Sequence, residues 1–167
     1  MAECDFVQAE LTPLYLIPPG ETRSYWQEFL DHGETENVLW ELASMDIREY
    51  YERQMEDKRN RRFGFRVNGT LTGMVRISSR VNYEANGKVG YSVRPSMRGR
   101  NYAAALLWLV TEYCRLNGIK PVTACADIRN EASLKALRRA GFVETGRVFD
   151  WTPNPSPRKA VELILPY

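Results

Sequence analysis

The chain has one histidine, His32, and three cysteines, Cys4, Cys114 and Cys125. One imidazole leaves little material for a histidine-based zinc site or a Ser–His–Asp triad, and the cysteines show no metal-ligand spacing, so no metal is expected. An odd number of cysteines without such spacing reads as a reduced, cytoplasmic protein. No apolar run reaches membrane-spanning length, and the N-terminus lacks a basic-then-apolar signal pattern, so no membrane partner is expected. An excess of one charge is also missing: 23 Lys and Arg against 21 Asp and Glu leave a net +2. So small a surplus argues against nucleic acid, whose binders carry a broad basic face. Repeats, low-complexity tracts and linkers are lacking as well, so residues 1–167 read as a single domain large enough to bury a core.

What is present falls into two patterns. The first third reads as a short strand, PLYLIPPG at 13–20, closed by a Pro-Pro-Gly turn, and then two helices. ETRSYWQEFLDHG, 21–33, has apolar residues at helical spacing and a glycine stop. The segment 38–59 is longer, and Leu39, Leu42, Met45, Ile47 and Tyr51 roughly trace one face. Trp26, Trp40, Tyr50 and Tyr51 on these helices read as core, with the lining of a substrate pocket as the alternative. The cluster KRNRR, 58–62, reads as a solvated helix end complementing the macrodipole, with a phosphate patch as the alternative. Beyond it the period becomes two. RRFGFRV meets TLTGMVRIS through Asn68-Gly69, a strong hairpin signal. The loop VNYEANGK leads to the strand KVGYSV. Then come a helix at 102–116, a strand at 121–126, a helix at 131–140, the strand FVETGRVFDW, a loop TPNPSPR and a last strand KAVELIL. Hairpins first and strand–helix–strand later predict an α/β (α+β) fold, a mixed sheet flanked by helices.

The stretch SVRPSMRGRNYAAALL, 92–107, departs from ordinary helix entry. Helix starts favour Asp or Glu, because negative charge suits the positive end of the macrodipole. Here Arg94, Arg98 and Arg100 stand before an almost wholly apolar helix, and no acidic residue is among them. First-turn amides have no partner inside the helix, Gly99 allows close approach of the backbone, and arginine forks suit phosphate. Asn101 is a good N-cap residue and tolerates positive φ. Two readings follow: a site awaiting an external anion, or an ordinary strand–helix turn with solvated arginines.

A second segment, DIRNEASLKALRRAGF at 127–142, reads as an amphipathic helix. Asn130 is its N-cap, Leu134 and Leu137 lie on one face, and Lys135, Arg138 and Arg139 on the other. Gly141 stops it, with Phe142 as the hydrophobic follower.

Together the two segments resemble the GNAT superfamily of N-acetyltransferases. Its pyrophosphate loop, Arg/Gln-x-x-Gly-x-Gly/Ala, is matched by Arg98 and Ala103, with Asn101 in place of the first glycine. Its later motif, Asn-x-x-Ser/Ala before a helix ending in Gly-Phe, is matched by Asn130, Ser133, Gly141 and Phe142. The resemblance covers roughly 60–150 and extends to uncharacterised bacterial acetyltransferases and to ribosomal-protein N-terminal acetyltransferases. It implies a mostly antiparallel central sheet, splayed between the strands at 88–93 and 122–126, with acetyl-CoA as co-substrate. Cofactor contacts would come from Ser92, Val93, Arg98, Gly99, Arg100, Asn101, Tyr102, Ala103, Asn130 and Ser133. The acceptor would be a small-molecule amine or a peptide N-terminus, and the protein a monomer or homodimer.

The resemblance also implies an oxyanion-type backbone N–H near Tyr91 to Val93. Many members carry a tyrosine that protonates the departing sulfur; at that spacing this chain has Leu137. Tyr91, Glu84 and Tyr83 remain as candidate acid or base, Tyr91 being equally readable as a packed aromatic. Cys125 reads as a small buried hydrophobe, with a covalent acyl-enzyme as the alternative. Because Asn101 and Leu137 both depart from the pattern, a CoA-binding module with little turnover stands as the other function.

Overall fold

A computed structural model of the chain describes residues 7–34, 46–79, 87–150 and 158–166. The period-two stretch forms β2 (Asn60–Val67) and β3 (Thr70–Ser78), whose alternation buries Phe63, Phe65 and Val67 on one strand and Val75 and Ile77 on the other. Asn68 and Gly69 join them with φ of +48° and +80°, the pair of positive values that a type I′ hairpin turn requires.

Around this hairpin the described residues build seven strands and four helices. β1 is Ala9–Pro13, α1 Pro19–Asp31, α2 Ile47–Glu56, β4 Gly87–Val93 and α3 Tyr102–Leu116. β5 is Val122–Asp127, α4 Glu131–Arg139, β6 Val143–Asp150 and β7 Lys159–Leu165. From β2 onward these bounds lie within two residues of the sequence reading. Earlier, two expectations fail. PLYLIPPG is no strand: β1 ends at Pro13, Leu14–Leu16 form a 3₁₀ turn, and α1 begins at Pro19. Proline fits the first helical position because its missing N–H is an orphan there anyway. KRNRR does not finish a helix either. α2 stops at Glu56, Lys58 and Arg59 form a turn, and 60–62 open β2. The proposed helix start at 38–45, Trp40, and the loop TPNPSP lie outside the described residues.

The strands form one sheet in the order β1-β2-β3-β4-β5-β7-β6. Every pairing is antiparallel except β4 with β5. One face packs on α3 and α4 through Phe65, Val75, Leu106, Leu107, Leu137 and Leu163. The other packs on α1 through Tyr25, Trp26, Phe29, Leu71 and Met74. Burying apolar side chains on both faces contributes about 1.5–3 kcal/mol per large residue, and it fixes the central strands against two independent layers.

Gly73 of β3 sits opposite Val93 of β4, where a Cβ would lie 2.9 Å from the Ser92 carbonyl oxygen and 2.8 Å from a Leu106 methyl. Backbone cannot yield as a side-chain end can. Gly73→Ala is therefore expected to lower urea-unfolding stability by about 1–3 kcal/mol; an unchanged midpoint would show that β4 has room to shift.

Candidate active site

β4 and β5 start side by side and then part. Gly87–Val89 pair in parallel with Val122–Ala124, but beyond that Gly90–Val93 keep only β3 as a partner and Cys125–Asp127 only β7. The free edge can be assigned by alternation. The Arg94 N–H donates to the Thr72 carbonyl at 2.8 Å, so residue 94 turns its polar groups to β3. Val93 and Tyr91, one and three residues away, turn theirs to the gap. The Val93 carbonyl there accepts from Arg98 Nε at 3.1 Å.

The gap opens on a cleft of about 630 Å³, bounded by the turn after β4 and by the first turns of α3 and α4. Its floor is the N-terminus of α3. Asn101 occupies the N-cap position at φ +63°, and its side chain makes no capping bond. Instead its Oδ1 accepts from Arg139 Nη1 at 2.7 Å. The sequence expectation of a side-chain cap is corrected here: a left-handed residue aims its carboxamide away from its own helix. Gly99 precedes it at φ +77°, with nothing within 4 Å of where a Cβ would stand. The result is a stretch of bare backbone at the positive end of a fifteen-residue helix.

The arginines of the turn have partners within the chain. Arg98 makes a two-pronged bond to Glu34, at 2.5 and 2.9 Å, and lies over the Phe29 ring at 5.3 Å. Arg94 lies 3.4 Å from Glu28 and over the Tyr25 ring, while the same glutamate accepts the Ser96 N–H at 2.6 Å. Arg100 is exposed and outside the residues lining the cleft. Two of the three guanidinium groups thus tie the turn to α1, and the Arg98 N–H is bonded to the Pro95 carbonyl. Lys135 and Arg139 of α4 supply cations on the opposite wall.

Of the other candidates, Ser92, Val93, Gly99, Asn101, Tyr102, Ala103, Asn130 and Ser133 all line the cleft. Asn130 caps α4, accepting the Ser133 N–H at 3.1 Å. Tyr91 also lines it, with its hydroxyl 2.9 Å from Ser133 Oγ; burial pushes the phenol above its ordinary pKa, and the bond to Ser133 offsets part of that rise. Leu137, one helical turn beyond Ser133, is wholly buried. Ser92 faces the other side of the sheet, where its Oγ lies 2.9 Å from the buried Tyr25 hydroxyl. Cys125 alternates with Ala124 and Ala126, which are buried under α4, and so points to the opposite face. Burial also raises its thiol pKa, which opposes the acyl-enzyme reading. Glu84 and Tyr83 lie outside the described residues. The sequence reading missed Phe29 and Glu34, and it placed Lys135 and Arg139 on a polar helix face without assigning them to a site.

Three solved structures share this architecture. A chimera of the spermidine N-acetyltransferase SpeG from Vibrio cholerae and hSSAT superposes with a TM-score of 0.74 at 18% identity, covering 95% of this chain and 94% of that one. The microcin C7 self-immunity acetyltransferase MccE, in complex with acetyl-CoA and AMP, gives 0.76 at 15% identity, with coverage of 93% and 91%. RimL, the ribosomal L7/L12 alpha-N-protein acetyltransferase in complex with coenzyme A, gives 0.73 at 15%, with coverage of 93% and 92%. No curated protein matches the chain by sequence. A family model for the acetyltransferase (GNAT) domain matches residues 15–143, most of the chain: the protein belongs to the GNAT family of acetyltransferases.

Proposed function

We propose that the protein transfers the acetyl group of acetyl-CoA to a primary amine, on a small molecule or a peptide N-terminus, by direct attack with both substrates bound. The observation that carries this reading is one cleft in which a parted pair of strands opens onto an uncapped helix N-terminus. The free edge of Gly90–Val93 offers strand-like hydrogen bonds to the pantetheine arm, and the first-turn amides of α3 beside Gly99 receive the pyrophosphate. Lys135 adds positive charge at the rim. A thioester co-substrate and the free thiols of Cys114 and Cys125 suit a reducing compartment such as the cytoplasm.

Acetyl-CoA, when bound, supplies an acyl thioester whose thiol, of pKa about 8.5, leaves readily near neutral pH. The chain polarises the acyl oxygen through a gap-facing N–H of Val93 or Tyr91, where negative charge develops. Tyr91 and Ser133 hold the proton. Leu137 has none to give, whereas the Tyr91 phenol, kept protonated by burial, donates through the Ser133 hydroxyl that lines the cleft.

The first test is binding. CoA and acetyl-CoA are expected to raise Tm by mass action on the native state, with dephosphorylated pantetheine raising it far less; equal shifts would remove the pyrophosphate cradle. Released thiol, read across a panel of polyamines and N-terminal peptides, then identifies the acceptor. The panel covers the amines named for the SpeG and RimL relatives, and a protein that binds CoA but releases thiol with none of them would be a binding module.

The pH profile tests the proton donor. The raised Tyr91 pKa leaves the phenol protonated throughout the ordinary range, so it removes no activity until pH exceeds about 10. With an α-amine acceptor, kcat/KM should rise from about pH 6, level off near the amine pKa of about 8 and show no fall below about pH 10. Tyr91→Phe should lower kcat about 100-fold with little change in KM for acetyl-CoA. A wild-type rate in that variant would exclude Tyr91 as the acid.

A further inference from the structure

Among the described residues, three helices carry Asp or Asn at the N-cap position, and these follow two patterns. Asp46 at φ −61° accepts the Arg48 N–H, and Asn130 at φ −85° accepts the Ser133 N–H, each closing its own helix. Asn101 has the same capability, yet it sits at φ +63° and caps nothing. Its Oδ1 is held by Arg139 Nη1 at 2.7 Å, across the cleft from α4. Positive φ is unfavourable for a residue with a Cβ, and asparagine tolerates it rather than prefers it. An asparagine freed of outside contacts relaxes toward the extended N-cap conformation, in which its carboxamide accepts an amide of the first helical turn. That amide belongs to the floor of the cleft.

We infer that Arg139 is a positioning residue: by holding the Asn101 carboxamide it keeps the chain's own cap off the N-terminus of α3 and leaves those amides to the phosphate of the cofactor. Asn101 then does what a glycine does at this position, keeping the left-handed turn without a side chain over the anion site. The role differs from direct neutralisation of phosphate by the guanidinium. Direct neutralisation needs Arg139 whatever residue stands at 101, whereas a positioning role matters only while residue 101 has a carboxamide to restrain. The inference rests on the proposed binding of CoA in this cleft.

The test is a double-mutant cycle on the full chain, read by calorimetric titration with CoA. Both residues are exposed, so the variants are expected to fold, and an unchanged melting transition verifies it. Arg139→Ala should weaken CoA binding about five- to tenfold, the scale of one N-cap competing for the same amides. Asn101→Gly, which keeps the backbone of the turn and removes the carboxamide, sets the reference, and the double variant should bind within about twofold of it. A double variant as weak as Arg139→Ala would overturn the inference and assign Arg139 a direct charge role; so would an Arg139→Ala variant that binds like wild type. A second readout needs no cofactor: Arg139→Ala should slow amide hydrogen exchange at Ala103 or Ala104, because the released carboxamide now caps one of them. Unchanged exchange at both would equally overturn it. If wild type fails to bind CoA, the functional reading falls, and the exchange measurement still decides what Arg139 does to Asn101.

Discussion

The separation of β4 from β5 is the constraint on which the rest of the structure depends. Two strands that begin in register and then part leave backbone N–H and C=O groups facing each other across a gap, and such groups are costly unless something meets them. The fold meets them in part. Arg98 reaches back to the Val93 carbonyl, and its fork is held in turn by Glu34, three residues beyond the end of α1. Glu28 of the same helix holds Arg94 and the Ser96 amide. The turn that follows β4 is thus fastened to α1 by carboxylates. The remainder of the gap opens on the cleft.

That arrangement gives the two faces of the sheet different work. On the α3 and α4 face, Tyr91 meets Ser133, and the helix starts line the cleft. On the α1 face, Ser92 meets Tyr25. Successive residues of one strand therefore serve opposite layers, as the two-residue period of a strand requires. A shift of β4 by one residue would exchange Tyr91 for Ser92 at Ser133. The register of the β3–β4 pairing is accordingly part of the site, although none of its hydrogen bonds touches the cleft.

How much of this the sequence carried depends on the range of the interactions. The helix at 102–116, the Asn68-Gly69 turn and the Asn130 cap were readable because each rests on neighbours a few residues apart. The partners of the turn arginines were not. Glu28 and Glu34 lie more than sixty residues before Ser96 and Arg98, and nothing local in ETRSYWQEFLDHGE marks those two acids as theirs. The arginine cluster therefore read as waiting for an outside anion or as solvated, when Arg94 already faces Glu28 of α1 and Arg98 faces Glu34 just beyond that helix. What remains at the turn is backbone: Gly99 and the uncapped start of α3. PLYLIPPG read as a short strand closed by a Pro-Pro-Gly turn, but Pro18 and Pro19 fit a helix entry better than a ladder that needs their N–H groups.

Leu137 and Tyr91 divide two demands between a helix and a strand. The leucine is wholly buried in the cluster that joins α3, α4 and the sheet, and a phenol there would lose apolar packing and need a partner for its hydroxyl. Tyr91 meets both needs from the strand side. Its ring packs against the same cluster, while its hydroxyl reaches Ser133, one helical turn before Leu137. The two positions thus divide two demands: the leucine completes the core, and the strand tyrosine sets a hydroxyl beside Ser133 at the cleft wall. The same burial that raises the Tyr91 pKa favours the neutral phenol over the phenolate, so the hydroxyl that meets Ser133 keeps its proton at neutral pH.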